Sequence, residues 1–274
     1  MNNYRPGSFS ILPLVIKNLL ILNVLMFFIT WLVRNRFGYD LDNLLGLHYP
    51  TSQYFRPYQV VTHMFMHANL AHIFLNMFAL WMFGSAIENL WGPKRFFIYY
   101  MLVVIGAAGF YLAVNALQFH AINAAANEIL VSGSPDKFMA LLKTHFSGEY
   151  HQLLNSDIIK DWYSNPQNPQ YAKEAYDFIQ TRLTALQDVP MIGASGAVFG
   201  VLLAFGMTFP NQYIYIYFLL PLKAKYFVII YGVIELYTGL TQSGSTVAHF
   251  AHVGGMIFGF LLIKYWNRSR TNLY

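Results

Sequence analysis

Six stretches of this chain stay apolar for about as long as a helix needs to cross a bilayer, and that repetition restricts the fold more than any other feature. A spanning helix takes about 20 apolar residues to cover a ~30 Å hydrocarbon core, where the backbone must satisfy its own hydrogen bonds. The runs fall at about 12–33, 70–88, 96–117, 193–209, 226–240 and 247–265, the fifth being short. Composition agrees: 56% of the 274 residues are hydrophobic and 11% charged, too small a polar shell to cover a soluble core. The expected fold class is all-α, a polytopic membrane protein with six transmembrane helices in a single membrane domain over residues 1–274, both termini on one side. The absence of cysteine excludes a disulfide framework, thiolate zinc sites and cysteine nucleophiles. Net charge is +5, yet the basic residues lie singly or in pairs beside apolar runs, without the stripe that tracks nucleic acid. No removable secretory segment is expected, because residues 1–11 are polar and the next run is too long for a signal-peptide core.

Arg5, Lys94, Arg95, Lys223, Lys225, Lys264, Arg268 and Arg270 all fall on one side of the six-span alternation, which marks it as cytoplasmic. The first connection opposes them with Arg34, Arg36 and Arg56, against Asp40 and Asp42. Between the third and fourth runs lies a polar interval, 118–190, with five basic against eight acidic residues. Its patterning suggests short amphipathic helices such as Lys137–His145 and Tyr171–Leu186, divided by Ser-Gly-Ser-Pro and Asn-Pro-Gln-Asn-Pro. It reads as a long extracytoplasmic insert of helices.

Inside a bilayer the polar residues are the informative ones, since each needs a partner. His72 opens the second run, Ser195 the fourth, and His252 lies early in the sixth; these runs share one direction, so all three sit within about 10 Å of the outer boundary. Ser195 stands in Gly193-Ala194-Ser195-Gly196-Ala197-Val198-Phe199-Gly200, at a loop-to-helix junction where first-turn N–H groups could stabilise an oxyanion. Alone, it equally reads as a helix N-cap. Gly196 and Gly200 on the fourth run, like Gly255 and Gly259 on the sixth, form small faces that let two helices touch backbone to backbone. His252 projects from that face, close enough to take a serine proton or to pack as a donor to a carbonyl. His249, on a neighbouring face, is expected to be such a packing donor. His72 and Asn76, at i and i+4, offer two neutral donors on one face. A zinc helix would need a second histidine where Asn76 stands, so no metal is expected. Glu88 is expected to make a structural contact near the cytoplasmic boundary with Arg95, and Glu235 to be capped or solvated near the surface.

Taken together, Gly193-Ala194-Ser195-Gly196, Ala251-His252 with Gly255 and Gly259, and His72 with Asn76 resemble the rhomboid family of intramembrane serine proteases. The match extends to Gly84, Glu88 and Gly92 and to Thr62-His63, His67 and His72. The resemblance implies a six-helix rhomboid-like bundle and a serine–histidine dyad without a carboxylate. Ser195 would be the nucleophile and His252 the general base and acid. His72, Asn76 and the Ser195 backbone N–H would form the oxyanion hole. Substrates would be transmembrane proteins cut in the lipid bilayer near a locally unwound helix end, with no cofactor, metal or nucleic acid. The expected setting is a bacterial plasma membrane, although the sequence does not specify the source membrane. A proteolytically inactive rhomboid-like protein that binds transmembrane clients is the alternative. Two features depart from the family pattern. Tyr58 and Gln59 stand where many members carry a Trp-Arg pair, and the 118–190 insert exceeds the minimal fold.

Overall fold

A computed structural model describes residues 9–216, 220–241 and 246–271; Arg5, one of the orienting charges, lies outside them. The first helix, α1 (Leu14–Phe37), follows Pro13 and stops at Gly38, which takes the left-handed conformation that closes a helix. Its first turn is capped from a distance. Both oxygens of the buried Glu88 carboxylate accept a backbone N–H, one from Val15 and one from Ile16, each at 2.9 Å. This is where the structure differs from the expected Arg95 contact: Arg95 lies over the rings of Trp91 and Trp266 instead. An anion at a helix N-terminus satisfies orphan donors and complements the helix dipole.

Two short helices, α2 (Leu41–Leu45) and α3 (Gln59–Thr62), and a 3₁₀ turn over His63–Phe65 make up the first connection. Arg34 pairs with Asp40 at 2.8 Å and Asp42 at 2.6 Å. The second apolar run becomes α4 (Leu70–Ala79) and α5 (Ser85–Trp91), joined without a break by a π turn over Leu80–Gly84. Asn69 caps α4 by accepting the His72 N–H.

The third run departs from its expected end. Helix α6 (Pro93–Ser132) continues past residue 117 to Ser132, 40 residues in all, about 60 Å, or twice the hydrocarbon thickness. Its far half carries Phe119, Ile122, Ala126 and Ile129, which pack against α7 (Pro135–His145), α8 (Ser147–Leu153), α9 (Asp157–Ser164) and α10 (Pro169–Gln187) around the buried Trp162. The insert therefore has its own apolar core, and α10 returns alongside α6 to the bundle.

The bundle is completed by α11 (Ser195–Thr208), the antiparallel strands β1 (Tyr213–Ile216) and β2 (Leu220–Lys223), α12 (Ala224–Thr241) and α13 (Thr246–Thr271). This strand pair is an addition to the all-α expectation; Tyr213-Ile214-Tyr215-Ile216 consists of the aromatic and β-branched residues that favour strands. Among the described residues three helical stretches are long and apolar enough to cross a membrane, Leu14–Phe37, Leu70–Trp91 and Pro93–Ser132, and α11 is a shorter apolar helix. Exposed large apolar residues line the outer faces of α1 and α12, as lipid contact requires.

Candidate active site

The segment that delivers Ser195 is pinned on both sides. Leu47 and Met191 exchange backbone hydrogen bonds of 2.9 and 2.8 Å, and the Gly193 N–H donates to the His63 carbonyl at 2.9 Å. Gly193 then turns with φ +118°, and a Cβ there would lie 2.9 Å from the His72 ring, so glycine is required for both reasons. Helix α11 begins at Ser195 with Ala194 in the N-cap position, which disposes of the N-cap reading for the serine. The Ser195 hydroxyl instead meets His252 Nε2 at 2.8 Å.

Glycine contacts allow that meeting. A Cβ on Gly255 would overlap the Gly196 carbonyl, and one on Gly259 would crowd Gly200, so α11 and α13 touch backbone to backbone. Tyr99 of α6 fixes the same seam by donating to the Gly200 carbonyl at 2.7 Å. The His252 ring stacks on Phe199 at 4.2 Å and 9°, and Phe199 stacks on Tyr231 of α12.

Behind the histidine stands a carboxylate that sequence reasoning placed elsewhere. Glu235 is buried, and its Oε2 lies 2.8 Å from His252 Nδ1 and 2.7 Å from His249 Nδ1. His249 Nδ1 thus meets a carboxylate where a backbone carbonyl was expected, and Glu235 is buried where a solvated position was expected. The signal was present in the spacing. Glu235 lies six residues before the end of α12 and His252 six residues after the start of α13, which puts them level in an antiparallel pair.

Across the site, the Ala68 N–H approaches His72 Nδ1 at 3.4 Å. A neutral His72 accepting there carries its proton on Nε2, the edge facing Gly193 and Ser195. Asn76 is buried and donates to the His72 carbonyl at 3.1 Å. Ser195, His252, His72 and Asn76 all line one cavity of about 710 Å³, walled by apolar side chains such as Leu75, Phe78 and Leu202. Gln59 was missed as an organiser. Fully buried, it accepts from the backbone of His48 and Arg56 and donates to the carbonyls of Leu44 and Tyr54, so it folds the loop that carries His63.

Glu235, His249 and His252 bring three ligand atoms within 4.8 Å of one another. The 2.7 and 2.8 Å separations are hydrogen-bond lengths, shorter than the ~3.3 Å between ligands bound at ~2.0–2.1 Å on a tetrahedral zinc. The cluster as it stands is a hydrogen-bonded one.

These features define a helical integral membrane protein with a buried polar site between packed helices. Comparison with known families gives it a place: a family model described as "Rhomboid domain" matches residues 54–134 and 173–268, more than half of the chain, and the chain belongs to the rhomboid family. A similar curated protein is an uncharacterized mitochondrial rhomboid protein of Schizosaccharomyces pombe, 28% identical over 220 residues, which cover 78% of this chain and 52% of the relative. The chain spans about half the length of that relative.

Proposed function

We propose that this protein is an intramembrane serine endopeptidase that hydrolyses peptide bonds in or next to the transmembrane segments of membrane proteins. The observation that carries the reading is the 2.8 Å approach of Ser195 Oγ and His252 Nε2 inside an apolar-walled cavity. In the mechanism, Ser195 Oγ attacks the substrate carbonyl carbon while its proton passes to His252 Nε2. The oxyanion is held by the Ser195 backbone N–H, His72 Nε2–H and Asn76. The imidazolium then protonates the leaving amine, and water, activated by the same histidine, releases the acyl chain.

The topology that goes with this reading has six spans: α1, α4 with α5, the first half of α6, α11, α12 and α13. Helix α11 is 14 residues, about 21 Å, so a ~30 Å core leaves room above it and the serine sits below the membrane surface. In this reading the start of α1 and the end of α13 lie on the cytoplasmic side, where Lys94, Arg95, Lys223, Lys225, Lys264 and Arg268 gather, and the insert lies on the other.

The test is cleavage of single-span reporter proteins in liposomes by the wild type, Ser195→Ala and His252→Ala. Wild-type cleavage lost in both variants supports the reading, and cleavage surviving Ser195→Ala ends it. Silence from all three favours a proteolytically inactive protein that binds transmembrane clients.

A further inference from the structure

We propose that Glu235 is the positioning carboxylate of this site, completing a Ser195–His252–Glu235 relay in place of a two-residue dyad. The proposal rests on the protease reading above and adds a residue to it. Its basis is geometric. The two nitrogens of His252 are engaged at once, Nε2 with Ser195 Oγ and Nδ1 with Glu235 Oε2, both at 2.8 Å.

Stacking on Phe199 fixes the plane of the His252 ring but leaves it free to turn within that plane. A hydrogen bond to Nδ1 removes that freedom. An ionised carboxylate only accepts, so Nδ1 carries the proton and Nε2 presents its lone pair to the serine, the tautomer a general base needs. The carboxylate is itself held, because His249 Nδ1 reaches the same oxygen from one turn away on α13. When Nε2 takes the Ser195 proton, the positive charge that forms on the ring lies beside Glu235 in a water-poor site, where opposite charges attract more strongly than in water. The Nδ1 proton stays on His252 throughout, and the transferred proton leaves on the amine. The other titratable groups facing His252 are His249 on its own helix, His72 on α4 and Tyr231 on α12.

Full-length wild type, Glu235→Gln, Glu235→Asp and Ser195→Ala in liposomes, assayed on one cleaved reporter, test the assignment. Glu235→Gln is expected to lower kcat by about a hundredfold or more with KM unchanged. The rate of Ser195 labelling by a fluorophosphonate should fall in parallel, and Glu235→Asp should recover part of the loss. Proton NMR of the wild type in micelles should show a low-field Nδ1–H resonance that disappears in His252→Ala. Glu235→Gln retaining the wild-type kcat, or a missing resonance, overturns the assignment while leaving the protease reading intact. Equal kcat losses in Glu235→Gln and Glu235→Asp, matched by equal losses of thermal stability, also overturn it, in favour of a structural role. A wild type that neither cleaves nor labels removes the protease reading first, and the relay with it.

Discussion

At Gly193 the backbone takes φ +118° with the His72 ring where a side chain would start. Gly193→Ala therefore adds backbone strain of about 1–2 kcal/mol and pushes His72 off the cavity. The expected result is a large fall in kcat with a melting temperature lowered by a few degrees, read from reporter cleavage and thermal unfolding in micelles. His72→Ala removes an oxyanion donor in the proposed mechanism and should cost about 10²–10³-fold in kcat while the fold persists. Glu88 acts far from that chemistry: Glu88→Gln exchanges two carboxylate acceptors for one and leaves a buried N–H of α1 unpaired, a loss of about 1–3 kcal/mol visible in thermal unfolding. Ser195, His252, His72 and Asn76 could be picked out because each is a polar residue in an apolar run, and lipid makes such residues conspicuous. The partners of Glu88 could not, since a carboxylate near a helix end looks solvated until the packing shows which neighbouring helix covers it; Glu235 looked the same, and only its level with His252 across the α12–α13 connection pointed to the pairing.

At the scale of elements, the first connection is the best example of structure hidden from pattern reading. It has no long periodic segment, yet Gln59 ties four backbone groups together and its own carbonyl accepts from His63 Nδ1 at 2.9 Å. Burial holds the ionisation of both His63 and His67, in the connection outside the spanning helices, down to about 4. Between the ordinary value of 6.5 and about 4 the unfolded chain binds more protons than the folded one, so stability is complete above 6.5 and declines as pH falls through that window. The loss amounts to at most about 1.4 kcal/mol per histidine for each pH unit. Melting temperatures between pH 7 and 4.5 should fall steadily, and His67→Gln should flatten the slope. The starts of the bundle helices were legible to within a few residues because apolar length marks them, though the end of α6 was not; the paired strands β1 and β2 were missed, since four-residue strands are lost among long apolar runs.

For the whole molecule, the family match breaks between residues 134 and 173, and the gap coincides with α7–α9 and the first residues of α10. The amphipathic periods at 137–145 and 171–186 anticipated α7 and α10. What sequence could not show is that α6 runs straight through the composition change at 118, because nothing in a helix requires it to stop where its residues turn from apolar to polar. The insert core is separate from the bundle core, so its stability should be separable too. Trp162→Ala, which empties a fully buried site and loses about 3–5 kcal/mol locally, should open residues 133–170 to limited proteolysis while the remaining helices stay protected. The uninterrupted α6, with α10 lying back along it, makes the intervening residues a side branch whose entry and exit share one antiparallel stem. Such a stem is a socket. Another helical branch of matching apolar face could be grafted between residues 133 and 168, giving the same membrane body a different head without resetting the register of any helix below it.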